Sequence, residues 1–134
     1  MRKINLVIFF FSISFSQTGN DFLMNFPFGK DVKKMSPKEY GEYVYYRAYV
    51  NGFRHGNGNT LAKIRTDLSE ESYNNTNLFL KTYDMGNDQL LAVIKKWCDD
   101  NPDKTNKVFF EILWLAFLEL PNKSINVFDA AKNK

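Results

Sequence analysis

The chain has 134 residues, 44% of them hydrophobic and 16% aromatic, which is enough for one domain with its own core but not for two. Its 18 Lys and Arg residues nearly balance its 15 Asp and Glu residues. Because nucleic-acid binding requires a clustered basic face, this composition predicts a single domain that does not bind nucleic acid.

The first sixteen residues are typical of a signal peptide. Two basic residues at positions 2 and 3 precede a mostly apolar run from Ile4 to Phe15, which is short for a membrane span of roughly 20 residues. Serines then occupy the −3 and −1 positions of a cleavage site before Gln17. We therefore expect residues 1–16 to be removed on export to the periplasm, which leaves no stable membrane anchor. The alternative is that this segment is a buried or amphipathic first helix.

The mature chain begins with a stretch to Met35 that has no regular apolar period, so it is either an irregular arm or a short helix. The first clear helix begins at Ser36, because Ser36 and Glu39 fit a capping box around a proline at the first helical position. Its apolar stripe recurs at helical spacing: Tyr43, Tyr46, Val50 and Phe53. The additional tyrosines of this helix indicate either a partly buried face or an aromatic patch for a protein partner.

Residues 51–59 are predicted to end this helix, since three glycines alternate with asparagines and both residue types favour turns. The segment has no GxxxxGK[ST] pattern for phosphate binding. His55 is the only histidine, so a metal site here lacks ligands, and no nucleophile accompanies it in a catalytic pattern. We predict a flexible loop in which Arg54, His55 and Asn57 bind a protein partner, with no catalytic residue, metal or cofactor.

The remaining chain predicts further helices. Residues Thr60 to Tyr83 are expected to be helical with one break in the polar run at 74–77, followed by a loop at 84–86. Two helices follow, from Asn87 to Asn101-Pro102 and from Val108 to Leu120. The first has a stripe at helical spacing: Leu90, Leu91, Ile94, Trp97 and Cys98.

The last helix is apolar almost all round, so it must be buried or hidden in an interface. Cys98 is the only cysteine, which excludes an intramolecular disulfide, and its position on the stripe predicts a buried thiol. Taken together, the patterns predict an all-α, single-domain bundle of about four to five helices at residues 17–121. A tail at residues 122–134 either docks on the bundle or frays.

Several motifs recur in one known family at this spacing. They are QLLAVIKKW at residues 89–97, NPD at residues 101–103, FLELP at residues 117–121 and, upstream, YRAYVNG at residues 46–52. Through these residues the chain resembles, from Tyr40 to Pro121, the Tai-type (Rap/Tai) immunity proteins of type VI secretion. These are small exported helical proteins that protect bacteria from toxic effectors delivered by neighbouring cells. Members usually carry cysteines near the first helix, before the QL helix and after the last proline, and this chain has other residues there.

The resemblance implies a stoichiometric inhibitor and not an enzyme. The partner would be a secreted periplasmic toxin, such as a cell-wall amidase, whose active cleft is blocked by a loop. Two loops fit this role, the one with Arg54, His55 and Asn57 and the one at residues 84–88, and we name the first. One alternative is a periplasmic scaffolding or stress protein that self-associates as a homodimer. Another is a hydrolase, although no nucleophile–base pair in the sequence favours it.

Overall fold

The computed structural model describes residues 17–122, so the predictions for the signal peptide and for residues 123–134 lie outside the described residues. Within this range the chain folds into six α-helices: α1 (Gly19–Asn25), α2 (Pro37–Lys63), α3 (Glu70–Thr76), α4 (Leu78–Thr82), α5 (Asn87–Asp100) and α6 (Phe109–Leu118). Three 3-10 turns lie between them: Val32–Lys34, Arg65–Asp67 and Pro102–Lys104. The all-α prediction is confirmed.

The longest helix, α2, begins as the sequence predicts. The Ser36 hydroxyl accepts a hydrogen bond from the Glu39 backbone, and the Glu39 carboxylate accepts one of 2.8 Å from the Ser36 backbone. The Lys30 ammonium lies 2.6 Å from the same carboxylate. These hydrogen bonds, of which the one from Lys30 has the largest effect, lower the pKa of Glu39 to about 2. The contact with Lys30 also anchors this end of the helix to the preceding turn.

The core lies where α1, α2, α5 and α6 meet. The rings of Phe22, Tyr46 and Phe109 are about 5 Å apart and fully or almost fully buried. The predicted stripe of α5 is buried along its whole length, and α6 buries the face around Ile112 and Phe117 against it. Burial of each such side chain contributes roughly 1.5–3 kcal/mol, so this contact between helices carries most of the fold.

The segment before α1 runs beside the start of α6 and fixes α1 in place. The Phe109 backbone donates a hydrogen bond of 2.7 Å to the Gln17 oxygen, and the Gly19 backbone donates one of 3.2 Å to the Lys107 oxygen. A Cβ atom at Gly19 would lie 2.9 Å from the Thr105 carbonyl oxygen and closer still to the Ile112 side chain. Only glycine therefore fits at this crossing.

Two ionisable side chains, those of Lys81 and Cys98, are buried in the bundle. Lys81 lies almost fully buried and donates hydrogen bonds of 2.8 Å to the main-chain oxygens of Leu118 and Leu120, so its ammonium satisfies carbonyls at the end of α6. Burial lowers the pKa of this lysine. Cys98 is 1% exposed, as predicted, and burial raises the pKa of its thiol to about 11. No helix among residues 17–122 is long and apolar enough to cross a membrane.

Candidate protein-interaction surface

The prediction that residues 51–59 form a loop is wrong, because α2 runs unbroken through all of them to Lys63. Each glycine in a helix interior costs about 1 kcal/mol relative to alanine, and asparagine is a poor helix former. Contacts with distant parts of the chain must therefore offset the local preference for a turn. Arg54, Asn57 and Gly58 make several of those contacts.

Arg54 ties α2 to the end of α4. Its Nη1 donates hydrogen bonds of 3.0 Å and 2.9 Å to the main-chain oxygens of Thr82 and Met85, and its Nη2 donates one of 3.1 Å to the Asn51 side chain. The guanidinium also lies over the ring of Phe79, 5.8 Å from its centre. Both terminal nitrogens of Arg54 are thus engaged by contacts within the chain.

Asn57 and Gly58 join the same helix to the junction between α3 and α4. The Asn57 side chain accepts a hydrogen bond of 2.8 Å from the Leu78 backbone and donates one of 3.4 Å to the Thr76 oxygen. A Cβ atom at Gly58 would lie 2.8 Å from the Cβ of Phe79, so the helices approach closely here. These contacts hold α2 in a helical conformation where its sequence favours a turn.

His55 is the predicted site residue that reaches the surface. It is exposed, and its ring lies against Phe79 with 5.1 Å between the ring centres. Arg54 and Asn57 lie beneath it and position the helix that carries it. A role of the three residues in binding a partner stays a prediction, although they are presented by a helix and not by a loop.

The outer face of α2 carries no Asp, Glu, Lys or Arg between residues 40 and 62. Its exposed residues are Tyr40, Gly41, Val44, Ala48, Gly52, His55, Gly56, Asn59, Thr60 and Ala62. The charged residues of the same stretch, Glu42, Arg47 and Arg54, lie partly buried at its sides. A quarter of the chain is charged, so an exposed helix face without these residues is unexpected for a surface that only meets water.

Two grooves flank the second half of this face. The first, which we call the aromatic groove, has a volume of about 400 Å³ and lies between α2 and α6. It is lined by Gly52, Phe53, Gly56, Asn57, Thr60, Leu61, Phe110 and Trp114. The Phe53 ring lies 5.1 Å from the ring of Phe110, which is itself 46% exposed. Phe110 is therefore exposed in this groove, whereas Phe53 and Trp114 are partly buried.

The second groove, the histidine groove, has a volume of about 270 Å³ and lies between α2 and α3–α4. Its lining consists of His55, Gly58, Asn59, Ala62, Tyr73, Asn77, Phe79 and Leu80. Among residues 17–122, no Asp, Glu, Lys or Arg contributes to either lining. Aromatic enrichment and depletion of charge distinguish the centre of protein–protein interfaces from the rest of a surface. We therefore take the end of α2 with its two grooves as the candidate interaction surface.

A further groove of about 520 Å³ lies between residues 26–32 and α5, and it has a different character. Charged side chains surround it, and its lysines already have partners: Lys30 lies 2.6 Å from Glu39, and Lys95 lies 2.6 Å from Asp99. Lys96, which also lines it, lies 2.5 Å from Asp100, so the lysines of this groove are paired within the chain. Among residues 17–122, no group of three or more His, Cys, Asp or Glu side chains is placed to hold a metal ion.

Sequence reasoning misses the aromatic groove, although one signal for it is present. Phe110 and Trp114 lie one turn apart on a helix with hardly any polar residue, so at least one apolar face of that helix remains to be covered.

No family model, curated protein or solved structure matches this chain. The resemblance to Tai-type immunity proteins therefore rests on the motifs quoted above. Within the fold, Gln89 of these motifs accepts a hydrogen bond from Gly86 at the start of α5, and Phe117 lies in the core.

Proposed function

We propose that this chain is an exported immunity protein that binds a toxin secreted by neighbouring cells and inhibits it by covering its active cleft. A cell-wall amidase fits this role, because such a toxin acts in the compartment to which the leader directs the chain. Under this proposal the chain acts by stoichiometric binding and not by catalysis.

The observation that carries the proposal is the uncharged, aromatic surface at the end of α2. The exposed face of the helix lies between two grooves, each of which is lined by aromatic and uncharged residues of the described chain. Tight inhibitors need a rigid scaffold and a few aromatic anchors that become fully desolvated in the complex. Phe110 and Trp114 on one side and His55 on the other supply candidates for these anchors.

A competition assay tests the proposal and does not require the toxin to be identified. The gene for the chain is deleted in a recipient strain, which is then grown in contact with its unmodified parent as attacker. We expect the recipient to be killed, and a plasmid copy of the full chain to restore survival. Equal survival of the recipient with and without the gene would contradict the proposal.

Export is tested separately. The proposal requires mature protein in the periplasmic fraction, with an N-terminus at Gln17 when the purified protein is sequenced. A copy that lacks residues 1–16 should accumulate in the cytoplasm and fail to protect, although it folds. Protection by this leaderless copy would overturn the periplasmic part of the proposal.

A further inference from the structure

We infer that the aromatic groove receives an uncharged helix of the toxin, which packs against Gly52 and Gly56; this inference rests on the proposed function. The two sides of the groove have matching spacing. Gly52 and Gly56 lie one turn apart on α2, and Phe110 and Trp114 lie one turn apart on α6. A groove between two helices is the site into which an amphipathic helix commonly docks its apolar face.

No contact among residues 17–122 requires glycine at these two positions. Within that range, a Cβ atom at either position would meet no atom within 4 Å apart from the adjacent backbone of α2, and neither residue has a positive φ. Alanine at each site would make α2 more stable by about 1 kcal/mol. Gly58, by contrast, is required by the close contact with Phe79. What Gly52 and Gly56 provide is room for a second backbone to approach that of α2.

The uncharged lining of the groove limits which chemical groups can bind in it. In the part of the chain that the structure describes, no Asp, Glu, Lys or Arg lines it, and both polar groups of Asn57 are engaged by α3 and α4. A charged side chain buried here would lose its hydration without gaining a partner, which is costly. The groove therefore does not suit phosphate, nucleic acid or a lipid head group. It suits an uncharged helix face whose apolar side chains reach Phe53 and Trp114.

The test uses the competition assay with three variants of the full chain: Gly52→Gln, Gly56→Gln and, as a matched control, Gly41→Gln. Glutamine favours the helix, is uncharged and fills the groove. Gly41 is also an exposed glycine of α2 with open space around it, and it lies outside the groove. We expect Gly41→Gln to protect as well as the wild type, and both groove variants to lose protection.

The outcomes separate this inference from the proposed function. If the wild-type copy fails to protect, the proposed function is wrong. If the wild type protects and the groove variants protect equally well, or if the control fails as they do, only the inference about the groove is overturned.

Thermal denaturation of the mature proteins tests whether the groove is instead occupied by a second copy of the chain or by residues 123–134. An empty groove predicts that all three substitutions raise Tm. A lower Tm for Gly56→Gln beside a higher Tm for Gly41→Gln would mean that the groove is filled in the free chain, which would overturn the inference. Sedimentation then names the occupant: a dimer that Gly56→Gln dissociates indicates a second copy, and an unchanged monomer indicates residues 123–134.

Discussion

The guanidinium of Arg54 donates a hydrogen bond of 2.9 Å to the main-chain oxygen of Met85, which joins the middle of α2 to the connection before α5. The same nitrogen donates one of 3.0 Å to Thr82. A side chain that the sequence assigns to a flexible loop thus joins α2 to the end of α4 and to the connection before α5. These bonds restrain the candidate surface, which lowers the conformational entropy that binding must overcome.

Arg54→Met should lower the free energy of unfolding by about 2–3 kcal/mol, because a hydrogen bond from a charged donor contributes roughly 1.5–3 kcal/mol and two carbonyls lose their partner. Urea denaturation measures the change. Thr60→Ser is the control, since Thr60 is an exposed residue of α2 and the substitution should change stability by no more than about 0.5 kcal/mol. Equal stability of Arg54→Met and wild type would show that the contact does not hold α2 in place.

Two glycines of the same helix turn should respond with opposite signs. Gly56→Ala should raise the free energy of unfolding by about 1 kcal/mol, because alanine favours the helix and the site is open. Gly58→Ala should lower it by about 1–3 kcal/mol, because the new Cβ would overlap Phe79. Thermal denaturation of the two variants measures both changes. A shift in the same direction for both would refute the packing described for α2.

Gly19→Ala should lower stability by about 1–3 kcal/mol, since the added methyl group would overlap the Thr105 carbonyl and the Ile112 side chain. Neighbouring Asn20 is exposed, so Asn20→Ala serves as the control and should be close to neutral. Guanidinium denaturation of the two variants provides the comparison. If Gly19→Ala were as stable as Asn20→Ala, the segment before α1 would not lie against α6.

Cys98 should make stability decrease at alkaline pH. The thiol has a pKa of 9.0 when unperturbed and of about 11 in the fold, so the unfolded chain loses this proton first. The contribution of the buried thiol to the free energy of unfolding is fully present below pH 9. It is lost as pH rises from 9 to 11, by about 2–3 kcal/mol in total. Urea denaturation across this range measures the slope.

Cys98→Ala is the comparison for that slope. It should be less stable below pH 9, because a smaller side chain leaves a gap in the core, and its stability should fall less steeply than that of the wild type between pH 9 and 11. In the native wild-type protein, the thiol should not react with Ellman's reagent at pH 8. Rapid reaction there would show that Cys98 is accessible.

The helices that could be predicted are those whose signals are local. The stripe from Leu90 to Cys98 follows a 3.6-residue period, and all five of its residues are buried in the fold. The capping box at Ser36 also lies where the sequence predicts it. The last helix is present as well, although it spans Phe109–Leu118 and is slightly shorter than predicted.

The continuation of α2 could not be predicted, because its causes are distant in the sequence. Gly and Asn between residues 51 and 59 favour a turn locally, and contacts with distant residues, among them those of Arg54, Asn57 and Gly58 with residues 76–85, reverse that preference. The aromatic groove has the same origin. Its two walls are separated by about half of the chain, and local patterns do not specify which face of α6 remains open.

The central claim is that the aromatic groove binds the toxin, and the most direct test is the affinity of the purified mature chain for the toxin that kills the deletion strain. Isothermal titration compares wild type with Phe110→Lys and with Val44→Lys, a control of similar exposure that lies outside the groove. We predict a saturable complex that Phe110→Lys weakens at least tenfold, about 1.4 kcal/mol, and that Val44→Lys leaves unchanged. Equal affinity of Phe110→Lys and wild type would contradict the account.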